Sequence, residues 1–356
     1  MTTVRVGLIG YGYAGRTFHA PLIRATAGLD LAAIASRRPD RVHADLPGVS
    51  VLSSAADVFA IPSIDLVVIA TPNDTHAPLA VAALRAGKHV VVDKPLAPTL
   101  EDARRLAAVA HGAGRVLATF HNRRRDGDFL ALQELLARKL LGEVTHFESH
   151  FDRYRPEVRD RWREQRGIGS GVWYDLGPHL VDQSLQLFGL PDRVIASLAG
   201  QRPGAQTTDW AHVVLEYGTL RAVLQTSMLV AARLPRFIVH GTAGSWTKYG
   251  LDRQEHDLIA SVEASSAQAA EPERALLTDR DGQERDMSIV AGDYRSLYAQ
   301  LRDAVRGGGP NPVPPAQAIA VTAVVEAAIR ASAEQRAVPL TLSDDEVREF
   351  QRSCAK

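Results

Sequence analysis

Short apolar runs alternate with amphipathic stretches along the first 120 residues. Residues 4–9 (VRVGLI) and 29–35 are apolar nearly throughout, which predicts two buried strands. Residues 13–27 between them carry a helical pattern. Residues 65–70 (DLVVIA) predict another strand, and 74–86 a helix closed by Gly87, where a helix C-terminal glycine belongs. Runs at 88–92 and 116–120 follow. Thr99 opens the helix between them as an N-cap, with Asp102 three residues on as a capping-box variant. Strand–helix alternation with strands apolar on both faces predicts a parallel sheet covered on both sides.

Beyond residue 121 the rhythm changes. A helix is expected near 126–141, a strand at 144–151, then an arginine-rich polar loop and a helix from about Asp175. Strand-like runs at 193–199, 211–217, 220–228 and 236–241 follow without helices between them, which predicts a mostly antiparallel sheet. The polar segment 251–285 matches no template. Glycines and prolines at 307–315 read as a linker before a long Ala-rich helix at 316–335.

Composition narrows the class. The chain has 356 residues, 46% apolar and 23% charged, which fits a globular protein of two domains. Forty-one basic residues balance forty-one acidic ones, so no global field draws in nucleic acid or an anionic membrane. The single cysteine, Cys354, excludes an intrachain disulfide and a Cys-rich zinc site, and no metal is expected. We read no run of about 18 apolar residues, hence no bilayer span. The N-terminus runs straight into a glycine motif, unlike a signal peptide, so a cytoplasmic protein is expected.

That motif is Gly10-Tyr11-Gly12-Tyr13-Ala14-Gly15, a GxGxxG placed between an apolar strand and a helix. The context is that of a dinucleotide fingerprint: Gly10 for the tight turn, Gly12 for backbone approach to a pyrophosphate, Gly15 for helix–strand packing. The second strand then ends in Ser36-Arg37-Arg38, where an NAD site would place an acid. A hydroxyl and two guanidiniums suit a 2′-phosphate, so NADP is the expected cofactor, unless the arginines are merely solvated.

Chemistry-bearing residues cluster at strand ends and on one helix. Asp175, His179 and Asp182 fall at i, i+4 and i+7 and share a face. Gly177 and Pro178 place that helix's start near Asp175, because proline is tolerated in the first turn. Asp175 then reads as an N-cap that can serve a second role. His179 reads either as a proton acceptor oriented by an aspartate one turn away or as a core histidine. Lys94 sits past a strand end before a proline, where it can hold a substrate hydroxyl or simply be a surface lysine.

Several stretches together carry a resemblance: GYGYAGRTFHAP at 10–21, ATPNDTH at 70–76, AGKHVVVDKPLA at 86–97, HNRRRDGDF at 121–129, RYRPEVRDRWRE at 153–164, GSGVWYDLGPHLVDQ at 169–183 and the C-terminal AVVEAAIRASAEQR. Over nearly its whole length the chain resembles the glucose–fructose oxidoreductase / inositol dehydrogenase / MocA family, closest to the bacterial branch with NADP-dependent scyllo-inositol dehydrogenases. The resemblance implies an α/β chain with an N-terminal Rossmann domain at 1–120 and a C-terminal α+β domain with an open sheet at 121–356, serving substrate binding and oligomerisation. It implies catalytic roles for Lys94, Asp175 and His179. Beside the glycine motif and Ser36, Arg37 and Arg38, which the residues themselves mark for the cofactor, it implies cofactor contacts from Thr71, Pro72, Asn73, His76, Asp93, Lys94, Trp162 and Arg163. Asp182, and more weakly Arg124, Asp152 and Tyr154, are the expected substrate contacts. One departure is visible: Asp93-Lys94-Pro95 stands where the family usually has Glu-Lys-Pro. The expected activity is hydride transfer between NADP and a secondary hydroxyl of a cyclic polyol or sugar, in a homodimer or homotetramer. The alternatives are an aldose or nucleotide-sugar enzyme of the same family, and a non-catalytic dinucleotide-binding regulator.

Overall fold

The computed structural model describes residues 3–262 and 273–355. The described chain divides into two compact units, one of 3–122, 253–262 and 293–319, the other of 123–252, 273–292 and 320–355. The chain therefore does not pass once from a first domain to a second near residue 121. Two later segments return to the first unit, and the reason is apolar. The helix Arg295–Val305 buries Leu297, Tyr298 and Leu301 among Val6, Leu8 and Phe120. The expected linker at 307–315 is also packed: Val313 is fully buried, and Asn311 Nδ2 donates to Leu117 O at 2.8 Å.

The first unit holds a six-stranded sheet of β1 (Val4–Ile9), β2 (Leu29–Ala35), β3 (Ser50–Leu52), β4 (Leu66–Ile69), β5 (His89–Asp93) and β6 (Leu117–Phe120). The order is β3-β2-β1-β4-β5-β6, and every pairing is parallel. β3 is too short, at three residues, to show a period in the sequence. The order reverses between β1 and β4, the switch point where open α/β sheets bind ligands at their carboxyl ends. The expected helix at 13–27 divides into a wide turn, Gly15–His19, and a short helix, Ala20–Ala25. Pro21 has no N–H to give the Thr17 carbonyl, so the i→i−4 ladder cannot run through it. Thr99 caps Leu100–Ala113 by accepting the Asp102 N–H at 3.1 Å, and Gly87 takes φ +77° past His76–Arg85.

The second unit holds eight strands: β7 (Val144–His150), β8 (Arg193–Ala199), β9 (Trp210–Tyr217), β10 (Leu220–Ser227), β11 (Pro235–Gly241), β12 (Gly244–Tyr249), β13 (Arg274–Asp279) and β14 (Glu284–Met287). Their order is β14-β13-β12-β11-β7-β10-β9-β8. All pairings are antiparallel except β7 with β10. The unassigned stretch 251–285 supplies the helix Gln254–Val262, β13 and the start of β14, while 263–272 lie outside the described residues. One face of the sheet buries Phe147, Val213, Leu224 and Val239 against Leu132, Trp173, Leu180 and Val324 from helices. Val324 belongs to the helix Pro315–Glu334, which by length and composition could cross a membrane, although Gln317, Glu326 and Arg330 keep it from being one apolar run. Its most apolar stretch is 72% buried inside the protein, as in a core helix.

Candidate active site

In the first unit the glycine motif follows β1 directly. A Cβ on Gly10, at φ +95°, would lie 2.5 Å from the Ala70 carbonyl oxygen, and one on Gly15 would lie 2.2 Å from the Gly10 carbonyl oxygen. Both positions need the bare backbone. At Gly12 a Cβ meets nothing within 4 Å, so the turn faces open space where a phosphate can approach the main chain. This is the cradle a dinucleotide requires.

The turn is braced from behind. Arg16 Nε and Nη2 donate to Asp45 at 2.7 and 3.1 Å, and Tyr11 Oη donates to the same carboxylate at 3.2 Å. The Arg16 bond holds the Asp45 carboxyl below its usual range, against burial. Burial, helped by Asp45, pushes the Tyr11 hydroxyl up to about 12. In front, Tyr13 Oη donates to Glu255 Oε1 at 3.0 Å, so the helix Gln254–Val262 packs against the motif. Sequence reasoning missed this helix, because nothing local ties residue 255 to residue 13.

Ser36, Arg37 and Arg38 follow β2. Ser36 Oγ accepts the Arg38 N–H at 3.1 Å, while both guanidiniums are exposed and make no ion pair among the described residues. They stand ready for an anion. Thr71, Pro72 and Asn73 follow β4. His76 binds them to the next strand end, with Nδ1 2.8 Å from Pro95 O and Nε2 2.9 Å from Thr71 O. Its ring thus clasps two loops together, a placement that motif matching alone does not show. Asp93 ends β5 and accepts the Lys94 N–H at 2.8 Å, and the Lys94–Pro95 peptide is cis. Lys94 is half-buried.

In the second unit the helix Val172–Phe188 carries Asp175, His179 and Asp182. It starts three residues before Asp175, with Gly171 as its N-cap, so Asp175 lies within the first turn and is not the cap. Pro178 sits inside the helix. Gly177 has a packing reason rather than a terminal one: a Cβ there would meet the Trp173 ring at 2.6 Å. Trp173 in turn donates to Val325 O at 3.1 Å.

Asp175 Oδ1 lies 3.3 Å from Arg163 Nε, and its Oδ2 lies 4.0 Å from Arg153 Nη1. Arg163 also stacks over the Trp162 ring, its Cζ 4.5 Å from the centroid. His179 is 7% exposed and lies parallel to Phe151, with centroids 6.4 Å apart. Phe151 also receives the guanidiniums of Arg123 at 4.7 Å and Arg153 at 5.3 Å, which makes it a cation-binding wall beside His179. Asp182 is gripped by Arg124 through two bonds of 2.8 and 2.5 Å. The structure thus joins two expected substrate contacts to each other. Asp152 lies 3.5 Å from His150 Nδ1, and Tyr154 is 60% exposed.

The Trp162–Arg163 turn is held by a residue that the sequence did not mark. Arg202, from the β8–β9 loop, is 5% exposed. It donates to Asp209 at 2.9 Å, Glu164 at 3.0 Å, Arg155 O at 3.1 Å and Glu157 O at 3.0 Å. Among the described residues no group of three His, Cys, Asp or Glu side chains could hold a metal ion.

Comparison with known proteins meets this geometry from outside. A family model for the NAD-binding Rossmann fold of the Gfo/Idh/MocA oxidoreductases matches residues 4–121, and one for that family's C-terminal alpha/beta domain matches 133–340. The chain belongs to the Gfo/Idh/MocA oxidoreductase family. It is 55% identical to the uncharacterized oxidoreductase YdgJ of Escherichia coli over 338 residues, 94% of this chain and 97% of that one. It is 37% identical to the scyllo-inositol 2-dehydrogenase (NADP(+)) IolW of Bacillus subtilis, over 95% of this chain and 96% of that one. The crystal structure of a Klebsiella pneumoniae oxidoreductase covers 99% of the chain and is itself wholly covered, with a TM-score of 0.91 at 47% identity. As a Gfo/Idh/MocA oxidoreductase, the chain binds a nicotinamide dinucleotide in its first unit.

Proposed function

We propose that this oxidoreductase moves a hydride between NADP and a secondary hydroxyl, or the matching ketone, of a cyclic polyol of the inositol type. The observation that carries the cofactor choice is the end of β2. It offers a serine hydroxyl and two exposed guanidiniums, without an ion pair among the described residues, where NAD recognition wants a carboxylate. The polyol reading rests on the relative IolW and on the carboxylates and arginines of the second unit.

His179 accepts the proton of the substrate hydroxyl. Lys94 orients that oxygen and stabilises the negative charge that develops on it. Asp175, one turn before His179 on the same helix, positions the imidazole. The bound nicotinamide supplies the hydride acceptor, or the donor in the reverse direction. Proton and hydride leave the same CH–OH unit, so a ketone remains and no further reactant is needed. Asp93 and the turn Thr71–Asn73 hold the nicotinamide ribose side, and Trp162 with Arg163 closes over the cofactor.

The test follows NADPH absorbance with NADP and NAD in parallel, across inositols, aldoses and their ketones. NADP-selective turnover of an inositol is expected. Replacing Arg37 and Arg38 together by serine removes the charge-assisted bonds to a 2′-phosphate, at about 1.5–3 kcal/mol for such a bond. The KM for NADP is then expected to rise about 10- to 100-fold, with that for NAD nearly unchanged. A wild-type preference for NAD would overturn the cofactor assignment.

A further inference from the structure

Behind the Asp93-Lys94 turn lies a buried pair that the mechanism above does not use. His19, the histidine of the GYGYAGRTFHAP stretch, is wholly buried. Its Nδ1 lies 2.7 Å from Tyr298 Oη, and its Nε2 lies 4.0 Å from Asp93 Oδ1. The ring packs on Phe120, with centroids 4.4 Å apart, and edge-on to Tyr298. Nε2 has no hydrogen-bond partner among the described residues.

Protonation states follow from the surroundings. Burial pushes the His19 imidazole down to about 4, against the pull of Asp93, so the ring is neutral near pH 7 and carries one N–H. Burial, with Asp93, pushes the Tyr298 hydroxyl well above its usual range, so it keeps its proton. A phenol that keeps its proton can donate it to Nδ1, and the Asp93 carboxylate on the Nε2 side favours the tautomer in which it does. The single imidazole proton then sits on Nε2 and faces the Asp93 carboxylate. At 4.0 Å this is an electrostatic contact and not a hydrogen bond.

We propose that Tyr298 and His19 are positioning residues for Asp93: the phenol sets the tautomer of the imidazole, and the imidazole N–H orients the carboxylate that meets the cofactor. The logic is that of a base held in one tautomer by a third group, applied here to cofactor binding. Asp93 Oδ1 takes the Lys94 N–H and faces His19, which leaves Oδ2 for a ribose hydroxyl. Tyr298 reaches this place because the helix Arg295–Val305 returns to the first unit. The shorter Asp, where the family usually has Glu, makes such orientation more consequential, since fewer side-chain torsions can adjust its reach. The inference rests on the reading of Asp93 as a cofactor ligand.

A double-mutant cycle tests it, read as the Kd of NADPH, with NADH in parallel, by fluorescence titration. Tyr298→Phe keeps the ring and removes only the hydroxyl, so it folds even where His19→Gln does not. Each is expected to raise Kd about three- to tenfold, with kcat within about twofold of wild type. Once Asp93→Asn is in place, adding Tyr298→Phe should change Kd by less than about twofold, because there is no carboxylate left to orient. Full additivity of the two changes overturns the proposal, as does an unchanged Kd in Tyr298→Phe when Asp93→Asn alone weakens binding. An unchanged Kd in Asp93→Asn instead overturns the cofactor role of Asp93, and the proposal with it.

Discussion

Replacing His179 by alanine is expected to lower kcat about 10²- to 10⁴-fold, the usual contribution of a positioned general base. The Kd of NADPH should stay nearly constant, because the change touches proton transfer and leaves the dinucleotide cradle of the first unit intact. His179 is suited to that role by placement. It sits on the second turn of a helix whose next turn is anchored by the Arg124–Asp182 pair, and its ring lies alongside that of Phe151. Lys94→Ala should lower kcat by a comparable factor, since in the proposed reaction the ammonium stabilises the oxygen that loses its proton. The two losses should not multiply: residues that act as a unit in one step are strongly non-additive. Steady-state kinetics beside direct cofactor titration separates the outcomes. A His179→Ala enzyme with more than about half of wild-type kcat would remove His179 from the chemistry. Tight NADPH binding with no turnover of any substrate by the wild type would favour the regulatory alternative.

Much of this architecture was legible because it is local. The strands 4–9, 29–35 and 193–199 are written as apolar or alternating runs, and they appear at those residues. The Thr99 cap and the Gly87 turn are single-residue chemistry and were equally readable. The start of the His179 helix was misplaced for an instructive reason. Pro178 by itself predicts a first-turn position, but the helix runs through it, and the neighbouring Gly177 answers to the Trp173 ring. That is packing information, which periodicity does not hold. The segment 251–285 failed for another reason. Its helix owes its place to Tyr13 and Tyr294, and β13 is held to β12 as well as to its neighbour β14, so the contacts that place the helix and one edge of β13 are distant in sequence. Motif matching placed the site residues at strand ends, but not the side chains that secure them. Asp45, Glu255, Tyr298 and Arg202 each lie outside any motif and reach theirs through tertiary contact.

Arg202 carries the largest expected effect on stability. Its guanidinium is buried with two carboxylates, Glu164 and Asp209, and two main-chain carbonyls. Arg202→Met leaves both acids without their common partner, and breaking a buried pair in this way costs about 3–5 kcal/mol. In a unit of this size the Tm should fall by about 6–20 °C. Arg202→Lys should restore little of it, because a single ammonium cannot serve four acceptors spread around a planar fork. The effect should also depend on pH, with a sign that can be worked out. Burial pushes the Glu164 carboxyl up, but bonds from the Arg159 N–H and Arg161, with the Arg161 and Arg202 charges, win and hold it below its usual range. A carboxyl lowered on folding stabilises above its unfolded pKa, and that contribution is lost as pH falls through its folded value. Wild-type stability should therefore decline as pH drops below about 4.5, and the Arg202→Met protein should decline less over the same window. Thermal unfolding of both proteins across that range measures it. If the Arg202→Met protein melts within about 2 °C of wild type, the Trp162–Arg163 turn is held by its other bonds, to Asp175 and within Arg161–Glu164, and Arg202 is only an occupant of the loop.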